Sequence, residues 1–257
     1  MTYEHINLSI KDRVGRISFR RAPLNVFNIR MMREIGAAVS ECVGERDLVA
    51  IVFEAGPETR AFSAGVAIEE HVEETVYQML DSFHAIFRAL EQAAKPTLAV
   101  VDGAALGGGC ELVAAVDIVI ASERARFGQP EIKLGVFPPV AAVLLPRLIG
   151  DKRARELMLT GELIDAAEAA RLGLVNYLVP REQLAQKTEE ILAKLRELSA
   201  ASLEATRRAI DLSRSLSFED ALSQVESLYL NELMKTEDAR EGIKAFMEKR
   251  KPDWRNR

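Results

Sequence analysis

The stretch Val100-Val101-Asp102-Gly103-Ala104-Ala105-Leu106-Gly107-Gly108-Gly109-Cys110-Glu111-Leu112-Val113-Ala114-Ala115-Val116 decides how this chain is read. Its first seven residues form an apolar run that passes into small side chains and reads as a strand, and residues 112–116 read as a short buried helix. Three glycines make the turn between them. Glycine lets a ligand approach the main chain closely, and the first N–H groups of a helix have no internal acceptor, so such a turn can bind a developing negative charge. Tight packing alone is the competing explanation for a glycine run. The segment has neither the Lys-Ser/Thr of a P-loop nor the G-x-G-x-x-G of a dinucleotide fold.

Two glutamates follow segments of unusual backbone. Glu111 stands directly behind the glycines, and Glu131 closes Phe127-Gly128-Gln129-Pro130-Glu131, which suggests two carboxylates facing one substrate. A second turn of the first kind lies upstream, where the strand-like Val49-Ala50-Ile51-Val52-Phe53-Glu54 runs through Gly56-Pro57 to Ala61-Phe62-Ser63-Ala64-Gly65-Val66. Two main-chain turns can share one anion. Ser63 invites a nucleophile reading, but Ala61 breaks the G-x-S-x-G elbow, and a triad needs His5, His71 or His84 as its base. None of these histidines has catalytic or metal-ligand spacing, so surface or packing roles are expected, with no metal site.

At 257 residues, 48% hydrophobic and 28% charged, the chain is sized for one core, or one core and a small satellite. A net charge of −5 argues against a general nucleic-acid binder. Cys42 and Cys110 exclude a disulfide framework and read as reduced thiols, the second packed in its helix. The opening residues show no charged and apolar leader, and no stretch is long and apolar enough to span a bilayer. A cytoplasmic enzyme without membrane attachment is expected.

Periodicity places strands at residues 14–20, 48–54, 97–102, 117–121 and 174–179, with helices at 29–46 and 71–93, which argues α/β layering. Asp165-Ala166-Ala167-Glu168 resembles a capping box with Gly173 as the stop, placing a short helix before the last strand. Residues 199–216, 217–234 and 237–249 are amphipathic and helical, so a boundary near Leu198 divides an α/β core, 1–198, from a helical region, 199–257. Such helices must bury their stripe against the core or another subunit.

Ala61-Phe62-Ser63-Ala64-Gly65, Ala105-Leu106-Gly107-Gly108-Gly109-Cys110-Glu111-Leu112 and Phe127-Gly128-Gln129-Pro130-Glu131 together resemble the enoyl-CoA hydratase (crotonase) superfamily. The resemblance extends through Leu159-Thr160-Gly161, residues 166–175 and Glu241-Gly242-Ile243-Lys244-Ala245-Phe246-Met247-Glu248-Lys249-Arg250, so it covers essentially the whole chain in order. It implies a crotonase-like (ClpP/crotonase) spiral of ββα units with a C-terminal helical trimerisation region, assembled as a homotrimer or as a hexamer of two trimers. It implies an acyl-CoA thioester substrate and no cofactor beyond the coenzyme A that the substrate carries. By motif position, it assigns an oxyanion hole to the main chain of Val66 and Gly108, water activation to Glu111 and proton exchange at carbon to Glu131. Coenzyme A contacts are implied at Arg21, Leu24, Ser63 and Ala64, with Phe246 and Lys249 reaching the nucleotide end from a neighbouring subunit.

Physical chemistry supports that division of labour. Hydration of a double bond conjugated to a thioester places negative charge on the thioester oxygen, where two converging N–H groups stabilise it. One group must take a proton from water and another must deliver one to carbon. A carboxyl group enclosed by apolar walls and near a second carboxylate has a raised pKa, so one glutamate can be protonated while its partner is not; the sequence leaves open which.

Two departures from the common pattern bear on the substrate. Gly65-Val66-Ala67 stands where relatives often carry Gly-Ala-Asp, and Gly135-Val136-Phe137-Pro138-Pro139-Val140 replaces a glycine-rich Pro-Gly-x-Gly-Gly-Thr. Phe137, Pro138 and Val140, with Val143, are expected either to wall a pocket against a ring or to pack in the core. The Val-Phe-Pro-Pro-Val run resembles the branch that hydrates cyclohexa-1,5-diene-1-carbonyl-CoA. Straight-chain enoyl-CoA hydration, double-bond isomerisation and a non-catalytic scaffold or RNA-binding role on the same fold remain the alternatives.

Overall fold

Ala50, Ile51, Val52 and Phe53 are all fully buried, so the strand they build, β3 (Ala50–Ala55), has protein on both faces. Strand alternation sorts them: Ile51 and Phe53 join one apolar cluster, Ala50 and Val52 another. The computed structural model describes residues 2–256. In it β3 lies in a six-stranded sheet with β1 (Ile6–Lys11), β2 (Val14–Phe19), β4 (Thr97–Val101), β6 (Ile118–Ser122) and β9 (Tyr177–Val179), in the order β1-β2-β3-β4-β6-β9. The β1–β2 pair is antiparallel and every other pair is parallel.

Parallel neighbours need crossovers. Helix α1 (Ile29–Gly44) links β2 to β3, and α2 (Val76–Ala93) links β3 to β4. Their buried faces, Met31, Met32, Ile35 and Val39 on one and Met79, Phe83, Ile86 and Leu90 on the other, fill the larger cluster. A three-stranded sheet, β5 (Ala104–Leu106), β7 (Arg126–Gly128) and β8 (Leu163–Asp165), stands beside α3 (Gly108–Ala115). Helices α4 (Pro139–Ile149), α5 (Asp151–Thr160) and α6 (Ala166–Arg171) precede β9, and α7 (Leu184–Arg196) seals the far face of the large sheet with Ile191 and Leu192.

The expected elements are present with three corrections. The last strand is only Tyr177–Val179, because the Leu174 N–H donates to Ala169 O and ends α6, with Gly173 at φ +87°. Helix α2 starts at Val76, since Ile68–Glu70 forms a 3-10 turn closed by His71 N–H to Ile68 O. β1 and the whole second sheet are additional elements.

Helices α8 (Ala200–Leu212), α9 (Phe218–Asn231) and α10 (Glu237–Met247) follow. Helix α8 is tied to the core by two cations. Lys95, 2% exposed, pairs with Glu204, and the Arg207 guanidinium donates to Asp117 at 2.9 Å and to Leu90 O at 3.0 Å. Among the described residues, Arg207→Ala takes the only paired cation from the half-buried Asp117 carboxylate, which keeps its Thr97 donors, and frees the Leu90 carbonyl. We expect it to lower stability in urea by about 2 kcal/mol, short of the roughly 3–5 kcal/mol of a fully buried broken pair, because Asp117 keeps 27% exposure.

Candidate active site

The site begins where two turns are forced together. The main chain of Ser63 bridges to β5: its N–H donates to Ala104 O at 3.1 Å and its carbonyl accepts from Leu106 N–H at 2.9 Å. Phe27 secures the far end, donating to Gly65 O at 2.8 Å and accepting from Ala67 N–H at 2.9 Å. The approach leaves no space for side chains. A Cβ on Gly109 would lie 2.7 Å from Ser63 Cβ, and one on Gly108 would lie 2.9 Å from both Phe83 Cζ and Val66 Cγ2. Val66 and Gly108 are thus in contact across the two turns, and among the described residues neither peptide N–H has a protein acceptor. Gly108 opens α3, where a missing intrahelical partner is inherent.

Glu111 follows in the first turn of α3 with 2% exposure. Its Oε1 accepts from the Ala141 N–H at 2.8 Å. That donor belongs to the start of α4, where Pro139 occupies the first position and has no N–H of its own. The first free amides of α4, those of Val140 and Ala141, therefore address Glu111. Burial raises its pKa to about 7, a neighbouring Glu131 charge pushes the same way, and the Ala141 and Val140 amides oppose them.

Glu131 approaches from the other side, on the 3-10 turn Pro130–Leu134. A Cβ on Gly107 would lie 2.5 Å from Glu131 Oε1, so the carboxyl rests on the bare Cα of a residue at φ +51°. Burial raises its pKa, and its own backbone N–H lowers it. The structure thus brings Val66, Gly108, Glu111 and Glu131 to one turn. It also adds participants that the sequence reading missed, the Val140 and Ala141 amides, whose signal was a Pro-Pro pair directly before a helix-compatible run.

The other candidates divide. Ser63 is fully buried, and its hydroxyl donates to Asn25 O at 2.8 Å and accepts from Gly65 N–H at 3.1 Å. Every polar group of Ser63 is thereby used inside the protein, where it fixes the turn. Ala64 N–H donates to the carbonyl of the half-exposed Leu24 at 2.9 Å, and the Arg21 guanidinium donates to Val26 O at 2.8 Å. Phe246, 85% exposed, and Lys249 lie at the end of α10, which packs mainly on α8 and the turn before it. Pro138 is buried as the residue capping α4, Val140 is half-buried, and Phe137 is 70% exposed. Phe137 therefore does not pack in the core. Cys42 and Cys110 are buried thiols pushed up to about 12 by desolvation, hence neutral. Among the described residues no cluster of His, Cys, Asp or Glu could hold a metal, and no helix is long and apolar enough to cross a membrane.

A family model described as enoyl-CoA hydratase/isomerase matches residues 9–257, and the chain belongs to that family. The cyclohexa-1,5-dienecarbonyl-CoA hydratase of Thauera aromatica is 38% identical over 245 residues, covering 94% of this chain and 93% of that protein. The short-chain-enoyl-CoA hydratase of Clostridium acetobutylicum is 34% identical over 256 residues, 96% of this chain and 97% of that one. A crystal structure of enoyl-CoA hydratase from Bacillus anthracis superimposes with a TM-score of 0.92 at 30% identity, covering 99% of this chain and 100% of that chain. The α/β architecture with its C-terminal helices is the crotonase fold.

The raised pKa of Glu111 makes stability depend on pH. The folded state holds this proton up to about pH 7 and the unfolded chain only to about 4.5, so the group favours folding at low pH and loses that contribution as pH rises across this window. Glu111→Gln, which cannot ionise, should gain stability relative to the parent over the same range, by on the order of 3 kcal/mol at most. Urea unfolding of both proteins at about pH 5 and pH 8 checks this; a constant difference between them contradicts a buried, ionising Glu111.

Proposed function

We propose that the protein adds water across a carbon–carbon double bond conjugated to a coenzyme A thioester. The protein is an enzyme of the enoyl-CoA hydratase type, a hydro-lyase. The observation that carries the mechanism is the convergence of a buried and a part-buried carboxyl group and two free amides on the Gly107 turn. Glu111, ionised, takes a proton from water as its oxygen attacks the β-carbon. The π electrons move to the thioester oxygen, which the Val66 and Gly108 N–H groups receive. Each such donor typically contributes roughly 3–4 kcal/mol to the transition state. Glu131 then delivers a proton to the α-carbon and the enolate collapses to the hydroxyacyl thioester. Charge and protons are handled by these groups alone, so no separate cofactor is invoked. Glu111→Gln and Glu131→Gln should each lower kcat by roughly 10²-fold or more while leaving the fold intact by circular dichroism; near-parental turnover in either removes that residue from the mechanism.

For the acyl group we infer a cyclic diene, with 1,4-hydration of cyclohexa-1,5-diene-1-carbonyl-CoA to 6-hydroxycyclohex-1-ene-1-carbonyl-CoA; here the enolate is a dienolate and Glu131 delivers its proton to the γ-carbon, the far end of that dienolate, in place of the α-carbon. Support comes from the stiff apolar run through Phe137, Pro138 and Val140 beside the helix start that holds Glu111, and from the similarity to the Thauera enzyme. Similarity to the Clostridium short-chain enzyme favours a second reading, a straight-chain substrate. Comparing kcat/KM for the cyclic dienoyl thioester, crotonyl-CoA and a longer enoyl-CoA, with mass spectrometry for the gain of one water, separates them. A clear linear preference overturns the cyclic reading.

Coenzyme A is placed along the loop of Arg21 and Leu24 and the exposed edge of Ala64. We assign the region 199–257 to assembly as a trimer or a hexamer of two trimers, and residues 1–198 to the catalytic core. Phe218, Tyr229, Leu230, Phe246 and Met247 leave apolar surface exposed for such contacts, and Phe246 and Lys249 then reach the nucleotide end of a neighbour's ligand. We place the enzyme in the cytoplasm, consistent with its reduced thiols. Lys249→Ala should raise KM several-fold with little change in kcat; a fall in kcat at constant KM argues against a contact with the coenzyme A phosphates.

A further inference from the structure

The direction of the Val66 N–H is fixed at the other end of its own peptide. The Gly65–Val66 bond is trans, so its N–H points opposite to the Gly65 carbonyl, and that carbonyl accepts from Phe27 N–H at 2.8 Å. Gly65, at φ +103°, has no side chain to oppose rotation of this peptide. The amide therefore stays aimed only while the chain entering α1 stays beside residues 65–67.

Main chain and side chain both hold these segments together. Phe27 uses its backbone, donating to Gly65 O and accepting from Ala67 N–H at 2.9 Å. The side-chain contact is made by Glu70, whose carboxylate accepts from the first amide of α1, Ile29 N–H, at 2.9 Å to one oxygen and 3.1 Å to the other. Val66, Ala67 and Ile68 carry no polar side chain, so Glu70 is the first residue after Val66 that can bond to α1 in this way without leaving the 3-10 turn. Its own backbone is tied down as well. Glu70 N–H donates to Ala67 O at 3.2 Å, and its carbonyl accepts from Thr75 Oγ1 at 2.9 Å, which fixes the carboxylate relative to Val66. A carboxylate at a helix start is favoured by the helix dipole and by an amide that lacks an intrahelical acceptor. Asn28 caps the same end separately, accepting from Met31 N–H at 2.9 Å, so α1 is capped without Glu70.

We propose that Glu70 is a positioning residue for the Val66 amide: by clamping the turn after Val66 to the first amide of α1, it keeps the Gly65 carbonyl on Phe27 and the Val66 N–H on the thioester oxygen. The inference rests on reading Val66 as one of the two donors to that oxygen. Glu70 itself touches no reacting atom. Loss of the clamp lets the Gly65–Val66 peptide rotate, so the amide misses the charge that develops in the transition state while the remaining contacts still bind the substrate.

The test compares Glu70→Ala, Glu70→Gln and Asn28→Ala in the full-length protein. Each is read as kcat and KM on whichever enoyl-CoA thioester the parent hydrates best, and as thermal midpoint. A further readout is the infrared carbonyl stretch of the saturated counterpart of that thioester, isotopically labelled at the carbonyl and bound to the protein. In the parent the bound stretch should lie below that of the free thioester, because donors to the oxygen weaken the C=O bond. Glu70→Ala should lower kcat at least about tenfold, a share of the roughly 10²–10³-fold that one such donor supplies. It should keep KM within about threefold and move the bound stretch back towards the free value. Glu70→Gln, whose amide oxygen can still accept from Ile29 N–H, should restore most of the rate and of the shift. Asn28→Ala removes a cap from the same helix end and should lower the thermal midpoint while leaving kcat and the carbonyl stretch near parental. An unchanged carbonyl stretch in Glu70→Ala overturns the proposal, and so does an equal loss of kcat and shift in Asn28→Ala, since helix capping alone then accounts for the effect. A parent with no shift of the bound carbonyl instead overturns the reading of Val66 and Gly108 as donors to the thioester oxygen. Should Glu70→Ala not fold, Glu70→Met, which keeps the reach but offers no comparable acceptor, is read by the same criteria.

Discussion

Main-chain contact between the Ser63 to Val66 turn and the Leu106 to Gly109 turn is the constraint on which the rest depends. Gly65 stands at φ +103°, with its Cα against Leu106 O and Gly108 N, and Gly109 lies against Ser63. Any side chain at these positions separates the turns and moves apart the Val66 and Gly108 amides. The glycines cost backbone entropy in the unfolded chain. Buried neighbours on both sides offset it, since Phe62, Ala105 and Phe127 are each fully enclosed. The large sheet, α1 and α2 thus act as a rigid backing for one turn-to-turn contact.

The electrostatics are balanced against that rigid frame. Desolvation, helped by the Glu131 charge, drives Glu111 toward its neutral form, whereas the α4 amides favour the anion. Neither influence wins outright, which leaves a carboxyl that changes state near neutral pH. Glu131 receives no comparable help from a helix end, and its environment is dominated by burial. One fold thereby gives its two carboxyl groups different surroundings although they meet at one glycine.

Much of this was legible in the sequence, for identifiable reasons. β3 announced itself through an unbroken apolar run, and α1 and α2 through long amphipathic spacing. The glycine turns and the two glutamates were legible because close backbone approach demands glycine and leaves little substitute. Strands β5, β7 and β8 were not, because three residues are too few for alternation and Ala104, Ala105 and Gly128 carry no strand preference. Leu174 and Val175 read as strand through their β-forming composition, but tertiary context recruits their amides to finish α6. That every polar group of Ser63 is bonded inside the protein was not legible, because sequence shows which groups exist and only packing shows their partners. The amides of Val140 and Ala141 lay beyond reach because main-chain donors have no letter in the sequence.

The start of α4 joins two properties that are usually adjusted separately. On the proposed function, the residues from Val136 to Val140 shape the surface beside the acyl group, and the same residues aim the helix end at Glu111. A change that reshapes the wall for a different acyl chain also reorients those amides, altering the ease with which the carboxyl ionises. On that reading, substrate range and working pH are coupled traits. Lineages that diverge in one are expected to drift in the other, and an engineer who widens the pocket through this segment must retune the acid–base chemistry with it.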